Sequence, residues 1–151
     1  MPVLIEQLAE DANWLNQDKH HNITLSIDKS FGVVGVETEI KSACSNLIAN
    51  AIAYTPSQGE IHISWQRKGS QMCFTVTDNG PGIKPEHINR LTERFYRIDK
   101  SRSRNTGGSG LGLAIVKHVL HHHNAELRIN SQWNEGSDFS IYFDSADTVN
   151  L

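Results

Sequence analysis

No stretch of this sequence approaches the ~18 consecutive apolar residues of a membrane-spanning helix. Its first residues do not follow the pattern of a secretory signal either. Cysteine is scarce: Cys44 and Cys73 lack metal-ligand spacing and fall in a helical and a strand-like pattern respectively. They are expected to be buried free thiols in a reducing compartment. An excess of one charge is missing as well, since 14 basic and 17 acidic side chains leave a net charge of −3, which does not suggest nucleic acid as a partner. Neither a repeat nor a low-complexity linker interrupts the 151 residues. One domain over residues 1–151, with a single core, is therefore expected.

What charge there is lies unevenly. Arg90, Arg94, Arg97, Lys100, Arg102 and Arg104 crowd six of the 14 basic residues into one segment. That segment runs into Gly107-Gly108-Ser109-Gly110-Leu111-Gly112, which favours a role facing an anion over a merely solvated loop. Glycine lets another group come within touching distance of the backbone amides. The helical pattern that follows, Leu113-Ala114-Ile115-Val116, adds free N–H groups and the positive end of a helix dipole. Two common phosphate loops are absent. A P-loop needs Lys and Ser/Thr after its last glycine, where this chain has Leu113 and Ala114. The G-x-G-x-x-G pattern would need glycine at 113, and no strand-like run leads into it. The site is of a third kind, and its other parts lie upstream.

Helical periodicity covers residues 3–15 through Val3, Leu4, Leu8, Ala12 and Leu15. It covers Glu37 to Tyr54 through Ile40, Ala43, Cys44, Leu47, Ile48, Ala51 and Ile52, with Thr55-Pro56 as the stop. A third helix spans Leu111 to His123. Alternation predicts strands at Ile23-Leu25-Ile27, Ile61-Ile63-Trp65, Cys73 or Phe74 to Val76, Leu127-Ile129 and Phe139-Ile141-Phe143, with a short extended piece at Gly32 to Gly35. A hairpin turn is expected around Lys68-Gly69-Ser70. Residues 79–107 hold only a short helical stretch near Pro85–Leu91, and loops this long are usually functional lids or disordered. The fold class is a two-layer α/β (α+β) sandwich: a mixed, mostly antiparallel sheet of about five strands on about three helices.

Asn46 and Asn50 project about 40° apart on one helix face with ~6 Å of rise. Asparagine is mediocre inside a helix, so two in register are harder to dismiss as exposed polar positions. Their oxygens suit Mg²⁺ and its waters, and their amides can donate to phosphate. Asp78-Asn79-Gly80-Pro81-Gly82 follows a strand. By itself it is an ordinary turn sequence, yet a carboxylate beside two glycines can accept from an exocyclic amine while a base slides along bare backbone. That arrangement reads adenine over guanine.

Asn46/Asn50, Asp78-x-Gly80-x-Gly82, Arg94-Phe95-Tyr96-Arg97 and Gly108-x-Gly110-x-Gly112 resemble, in order, the N, G1, F and G2 boxes of sensor histidine kinases. The lid stretch from Thr92 to Arg104 is most similar to the phosphate-regulon sensor kinases of Gram-negative bacteria. The resemblance implies the Bergerat ATP-binding fold shared with gyrase B, Hsp90 and MutL, with an N box at 46–54, a G1 box at 78–82, a long ATP lid at 83–107, an F box at 94–97 and a G2 box at 108–112. It implies ATP and Mg²⁺ as cofactors. Carried over position by position, Asn46 ligates Mg²⁺ and Asn50 contacts phosphate. Tyr54 packs on the adenine, Asp78 holds its amine, and Gly80 and Gly82 line the base. Gly110 and Gly112 let the lid and helix approach the phosphates, and Arg97 meets the γ-phosphate, so that Asn46 and Arg97 form the implied catalytic pair. Ala53, Ile83, Tyr96, Lys100, Gly108, Ser109, Leu111 and Leu113 complete the implied nucleotide-contacting set, and Ser137 resembles a family Thr near the adenine. Many relatives have Lys where this chain has Ala53, so a lid base such as Arg97, Lys100 or Arg102 is the expected substitute. The glycine pair that usually ends the last helix is replaced by Asn124-Ala125, and Asn can still take the left-handed cap.

The first N-box position also sorts the mechanism. In gyrase B, Hsp90 and MutL it is a glutamate that activates water, whereas an Asn46 amide cannot serve as a general base at neutral pH. The site is expected to orient the γ-phosphate for another nucleophile by positioning and charge stabilisation. None of the eight histidines (20, 21, 62, 87, 118, 121, 122, 123) stands in a phosphoacceptor context. His118 and His122 have i, i+4 spacing without an evident third metal ligand, and His121–His123 are expected to form a solvated helix end. The resemblance therefore implies the catalytic part of a longer receptor, monomeric when isolated and cytoplasmic beneath an inner-membrane anchor. Its partners would be the receptor's own phosphoacceptor His domain, which dimerises the parent, and a response regulator; no nucleic acid is implied. A hydrolysing ATPase and a non-catalytic nucleotide-binding or protein-interaction module are the alternatives.

Overall fold

The computed structural model describes residues 1–99 and 109–151. Strands β3 (Glu60–Lys68) and β4 (Gln71–Asp78) form the expected hairpin, with Lys68 opposite Gln71 across Gly69-Ser70. Strands β1 (Asn22–Ile27), β5 (Glu126–Gln132) and β6 (Gly136–Phe143) complete a five-stranded sheet in the order β1-β3-β4-β6-β5. Only the β1–β3 pair is parallel. Register stacks the inward side chains in rows. Trp65, Phe74, Ile141 and Leu127 form one row, and Ile63, Val76, Phe139 and Ile129 the next. Most of these are fully buried, and burial of side chains this size contributes about 1.5–3 kcal/mol each. A third row, Ile61, Asp78, Ser137 and Ser131, turns polar. The apolar face thus ends in a carboxylate and two hydroxyls.

Helices α1 (Pro2–Leu15), α2 (Glu37–Tyr54) and α4 (Gly112–His122) provide the second layer, and α3 (Pro85–Ile88) is a single turn. All seven apolar positions expected on α2 are buried. On α1 the buried seam is Leu4, Ile5, Leu8, Ala9 and Ala12, while Val3 and Leu15, grouped with it by periodicity, are exposed. Leu25, on the edge strand β1, is also exposed at 44% because β1 has a neighbour on one side only. No helix among the described residues is long and apolar enough to cross a membrane. Both cysteines are free and buried, and burial pushes the Cys44 thiol up to about 12.

One pairing was invisible to periodicity. Strands β2 (Phe31–Val33) and β7 (Thr148–Asn150) form a separate antiparallel ribbon, joined to β6 through a 3₁₀ turn at Ser145–Asp147. Three-residue strands are too short for alternation to register.

The end of α4 corrects the expectation of a solvated histidine cluster. His121 and His122 are exposed, but His123 is buried at 8%. Its Nδ1 bonds the Val119 carbonyl at 2.8 Å, and its Nε2 accepts from the Val36 N–H at 3.0 Å. A carbonyl can only accept and an amide N–H can only donate, so the two contacts fix the neutral Nδ1–H tautomer. The ring thereby supplies an acceptor at the start of α2, where the N-cap residue Val36 makes no side-chain cap bond. Gly35 must stay bare, because a Cβ there would stand 2.6 Å from the His123 ring. Asn124 takes the expected left-handed cap at φ 47°, and the Ala125 N–H closes onto the Leu120 carbonyl at 2.9 Å. Replacing His123 with Leu should cost about 1–3 kcal/mol by stranding the Val36 N–H and Val119 carbonyl. A denaturant midpoint unchanged from the parent protein would refute the clamp.

Candidate nucleotide site

Helix α2 is apolar on one side and carries Asn46, Asn50 and Tyr54 at the margin of that side. The Asn46 amide nitrogen donates to the Ser42 carbonyl at 2.8 Å, which leaves Oδ1 as the outward-facing group. That oxygen meets the first residue of α4: a Cβ on Gly112 would lie 2.8 Å from it. Oδ1 therefore stands at the positive end of α4, where unpaired backbone N–H groups favour an anion. Asn50 and Ala53 are half-buried, and Tyr54 closes the helix 55% exposed.

Behind the last turn of α2 stands Lys19, which sequence reasoning missed. Its Nζ donates to the Ile52 carbonyl at 2.9 Å and the Ala53 carbonyl at 2.6 Å. It places a cation on the negative end of the helix dipole, and burial lowers the ammonium below its usual range. Nearby, the His21 ring bonds the Thr55 carbonyl at 2.9 Å, while Asn16 and the His21 backbone exchange two hydrogen bonds of 2.8 Å. These contacts from a loop remote in sequence fix the turn that carries Tyr54.

Asp78 ends β4 on the helix-facing side. Its Oδ1 accepts from the Gly80 N–H at 2.9 Å. Burial raises its carboxyl above the ordinary 3.8, the Gly80 hydrogen bond partly offsets this, and the negative charge of Asp138 adds to the rise. Ser137 sits directly across from Asp78 on β6, and its hydroxyl meets that of Ser131 at 2.7 Å. Ser131 also accepts from the Ile83 N–H at 2.7 Å and donates to the Gly136 carbonyl at 3.0 Å. It was not singled out in the sequence, although it continues the inward alternation of Leu127 and Ile129. Gly82, with φ 68°, owes its identity to this turn: a Cβ there would overlap the Gln132 carbonyl. The G1 loop is thus gripped by the β5–β6 turn, with the Asn134 N–H bonding the Pro81 carbonyl at 2.7 Å.

The F box reaches the G2 loop through backbone. The Phe95 N–H donates to the Gly110 carbonyl at 3.0 Å. Gly110 has φ 75°, and a Cβ on it would lie 3.0 Å from Phe95 Cα and 3.2 Å from Arg97 Cγ. Arg97 is therefore brought against the glycine loop. Tyr96, placed on the nucleotide by resemblance, has its hydroxyl 2.6 Å from His87 Nδ1 and the Arg90 guanidinium over its ring at 4.3 Å. Arg90, counted in the anion-facing cluster, is spent on Tyr96 and on an ion pair with Glu93 at 3.3 Å. Ser109 accepts from the Leu111 N–H at 3.3 Å, and Leu111 and Leu113 are half-buried at the start of α4. Lys100, Arg102, Arg104 and Gly108 lie outside the described residues.

His118 and His122 face each other with ring centroids 4.5 Å apart. No cluster of three or more His, Cys, Asp or Glu able to hold a metal occurs among the described residues. The amide oxygen of Asn46 is a different kind of ligand, hard and neutral, suited to Mg²⁺ that brings its own phosphates and waters. Hollows of about 230 and 280 Å³ lie around Gly35, at the other end of α2, and neither is lined by Asn46, Asp78 or the glycine loop.

The sequence pattern of the family described as "Histidine kinase-, DNA gyrase B-, and HSP90-like ATPase" matches residues 35–147. The chain is 47% identical over 146 residues to the phosphate regulon sensor protein PhoR of Pseudomonas aeruginosa, covering 97% of this chain and 33% of that protein. It is 50% identical over 109 residues to the sensor-like histidine kinase SenX3 of Mycobacterium tuberculosis, covering 72% of this chain and 27% of that protein. The chain spans about a third of the length of the curated relatives it matches. Among solved structures, the mycobacterial sensor histidine kinase MprB superposes with a TM-score of 0.75 at 28% identity, over 93% of this chain and 91% of that one. Full-length ShkA in complex with AMPPNP shares the fold, with a TM-score of 0.81 at 23% identity, over 94% of this chain and 29% of that one.

The raised Asp78 carboxyl has a consequence for stability. The folded protein holds this proton more tightly than the unfolded chain, so the group's favourable contribution is fully present below the unfolded value near 3.8. It is lost as pH rises through the raised folded value, and above that the ionised carboxylate is a net cost. Asp78→Asn should therefore melt higher than the parent at neutral pH, with the gap closing as pH falls through the carboxylate range. Thermal melts across pH check this; a variant less stable at neutral pH would show that the Gly80 bond outweighs desolvation.

Proposed function

The chain belongs to the family of histidine kinase-, DNA gyrase B- and HSP90-like ATPases, and we propose that it is the Mg·ATP-binding catalytic domain of a phosphate-regulon type of sensor histidine kinase. It would donate the γ-phosphate to a histidine on the phosphoacceptor domain of the same receptor, for onward transfer to a response regulator. The observation that carries the reading is the approach of Asn46 Oδ1 to Gly112, which joins an amide ligand to a helix N-terminus. In the proposed complex Asp78 accepts from the adenine amine, with Ser137 beside it and Tyr54 against the ring. The start of α4 faces the phosphates, Asn50 donates to them, and Asn46 offers its oxygen to Mg²⁺. When bound, Mg²⁺ supplies charge neutralisation of the phosphate oxygens.

Transfer needs a nucleophile from outside. An imidazole nitrogen of the acceptor attacks the γ-phosphorus, and the bond to the β,γ-bridging oxygen breaks. ADP leaves with that electron pair, and the imidazole gives up its proton to solvent. Arg97, held beside Gly110, is suited to stabilise the charge that redistributes over the transferring group. Because Asn46 cannot deprotonate water, transfer is favoured over hydrolysis. A position on the cytoplasmic side of a membrane receptor follows from the same reading.

Two experiments test it. Asn46→Ala should weaken ATP binding in the presence of Mg²⁺ more than in EDTA; equal losses would reassign Asn46 to holding α2 in place. The 151-residue chain alone should bind ATP without labelling itself or turning it over appreciably. A helical fragment carrying the receptor's phosphoacceptor histidine should gain acid-labile, base-stable label from radiolabelled ATP, slowly because two free fragments lack the effective concentration of linkage. Arg97→Ala should lower that transfer more than it lowers ATP affinity. Brisk hydrolysis without acceptor would instead mark a hydrolysing ATPase.

A further inference from the structure

Ser131 is half-buried near the end of β5, and its hydroxyl meets three groups at once. The Ile83 nitrogen lies 2.7 Å from Oγ, the Gly136 carbonyl oxygen 3.0 Å and the Ser137 hydroxyl 2.7 Å. A hydroxyl has one proton to give and two lone pairs to share. The Ile83 N–H only donates, so it takes one lone pair. The Gly136 carbonyl only accepts, so it takes the proton. What remains on Ser131 is its second lone pair, and Ser137 meets that only as a donor. The direction of the Ser137–Ser131 bond, which distance alone leaves open, is thereby fixed. Both groups that dictate it belong to the frame of the site. Ile83 follows the G1 loop, and Gly136 is pressed on the Asp78 carbonyl, which a Cβ would overlap.

The direction of that bond decides what Ser137 offers beside Asp78. The two residues stand directly opposite each other across the β4–β6 pair, on one face of the sheet. Side chains so opposed have Cβ atoms about 4.5–5.5 Å apart. The Ser137 proton is committed to Ser131, and its hydroxyl makes no bond to Asp78 among the described residues. Next to Asp78, Ser137 therefore presents lone pairs alone, as an ionised carboxylate does. Two acceptors side by side complement an amine, which has two protons to give. They oppose a carbonyl, whose lone pairs would face theirs. A Ser137 hydroxyl free to rotate would lose that preference, because it could donate to a carbonyl as readily as accept from an amine.

We propose that Ser131 is a positioning residue for base selection: by taking the Ser137 proton it makes Ser137 an acceptor beside Asp78, so that the pair selects a purine bearing an exocyclic amine over one bearing a carbonyl. This rests on the reading of the site as an ATP site. Ser131 acts through Ser137 and needs no contact of its own with the base.

The test is calorimetric titration with Mg·ATP and with Mg·ITP, whose base has a carbonyl in place of the amine. It compares the parent chain with Ser131→Ala, Ser131→Thr, Ser137→Ala and the double alanine variant. Ser131→Ala strands the Ile83 N–H and the Gly136 carbonyl, so it should melt lower and lose some affinity for both nucleotides. Beyond that shared loss, its ATP-over-ITP preference should narrow about fivefold, the scale of one neutral hydrogen bond, because the freed Ser137 proton can turn to the ITP carbonyl. Ser131→Thr keeps the hydroxyl and should keep the preference. Once Ser137 is alanine, removing Ser131 should not change the preference further. Equal losses for both nucleotides in Ser131→Ala would overturn the proposal and leave Ser131 as a brace for the G1 loop. So would a preference that narrows as much in the Ser137→Ala background as in the parent, or a parent with no preference to narrow. Where Ser131→Ala unfolds below the assay temperature, Ser131→Cys keeps the shape but accepts only weakly, and the same outcomes decide. A parent chain that fails to bind ATP would overturn the reading of the site itself, whatever Ser131 does.

Discussion

A carboxylate at the end of an apolar sheet face constrains everything around it. The two inner rows led by Trp65–Phe74 and Ile63–Val76 are covered by helices and closed to water. The next row presents Asp78 with Ser137 and Ser131. Burial at that point favours the neutral acid, so the ionised group must be matched by donors. The Gly80 N–H supplies one. The remaining acceptor capacity of the carboxylate is what the proposed function assigns to a base bearing an amine. The site is built where the core stops, using the same strand alternation that makes the core.

From that fixed edge the rest of the groove is assembled by close backbone approach. Gly136 lies against the Asp78 carbonyl, Gly82 against Gln132, Gly112 against Asn46, and Gly110 against Phe95. A methyl group on Gly136 or Gly82 would overlap a carbonyl of another segment, and one on Gly112 or Gly110 would press on Asn46 Oδ1 or the Phe95 backbone. These glycines act as contact surfaces between segments, which ties the β5–β6 turn to the G1 loop and the F box to the start of α4. The lid base gains its own anchor in the His87–Tyr96–Arg90 cluster. That explains why Tyr96 belongs to the frame around Arg97 in this arrangement.

The division between α2's two ends is also physical. Its first turn is fastened by His123 through the Val36 N–H, and its last turn by Lys19 and His21 from the α1–β1 connection. Lys19 and His21 lie outside residues 35–147, the span matched by the family pattern. The helix that carries Asn46, Asn50 and Tyr54 is therefore held at its last turn by residues outside the family pattern.

The sequence by itself determined most of the elements and the order of the four motifs. Its 3.6-residue and two-residue periods placed α2, α4 and the five main strands, since such patterns follow from which face must leave water. Asn46, Asp78 and the glycine loop are each ambiguous alone, since Asp78-Asn79-Gly80 is an ordinary turn sequence, and they stand out through their order along the chain. Only the tertiary structure decided which groups meet. Lys19 and Thr55 carry no local signal: one looks like an ordinary surface lysine, the other like the stop of a helix. Ser131 read as a neutral strand residue, and Ser137 was marked only by its resemblance to a family Thr, until register set both in line with Asp78. His123 looked like the third of three solvated histidines, and became a clamp because Val36 arrives from 87 positions away. Periodicity reports how each segment meets water, a local property. Partnership across the fold depends on how segments dock, and one segment's sequence does not contain its neighbour's atoms.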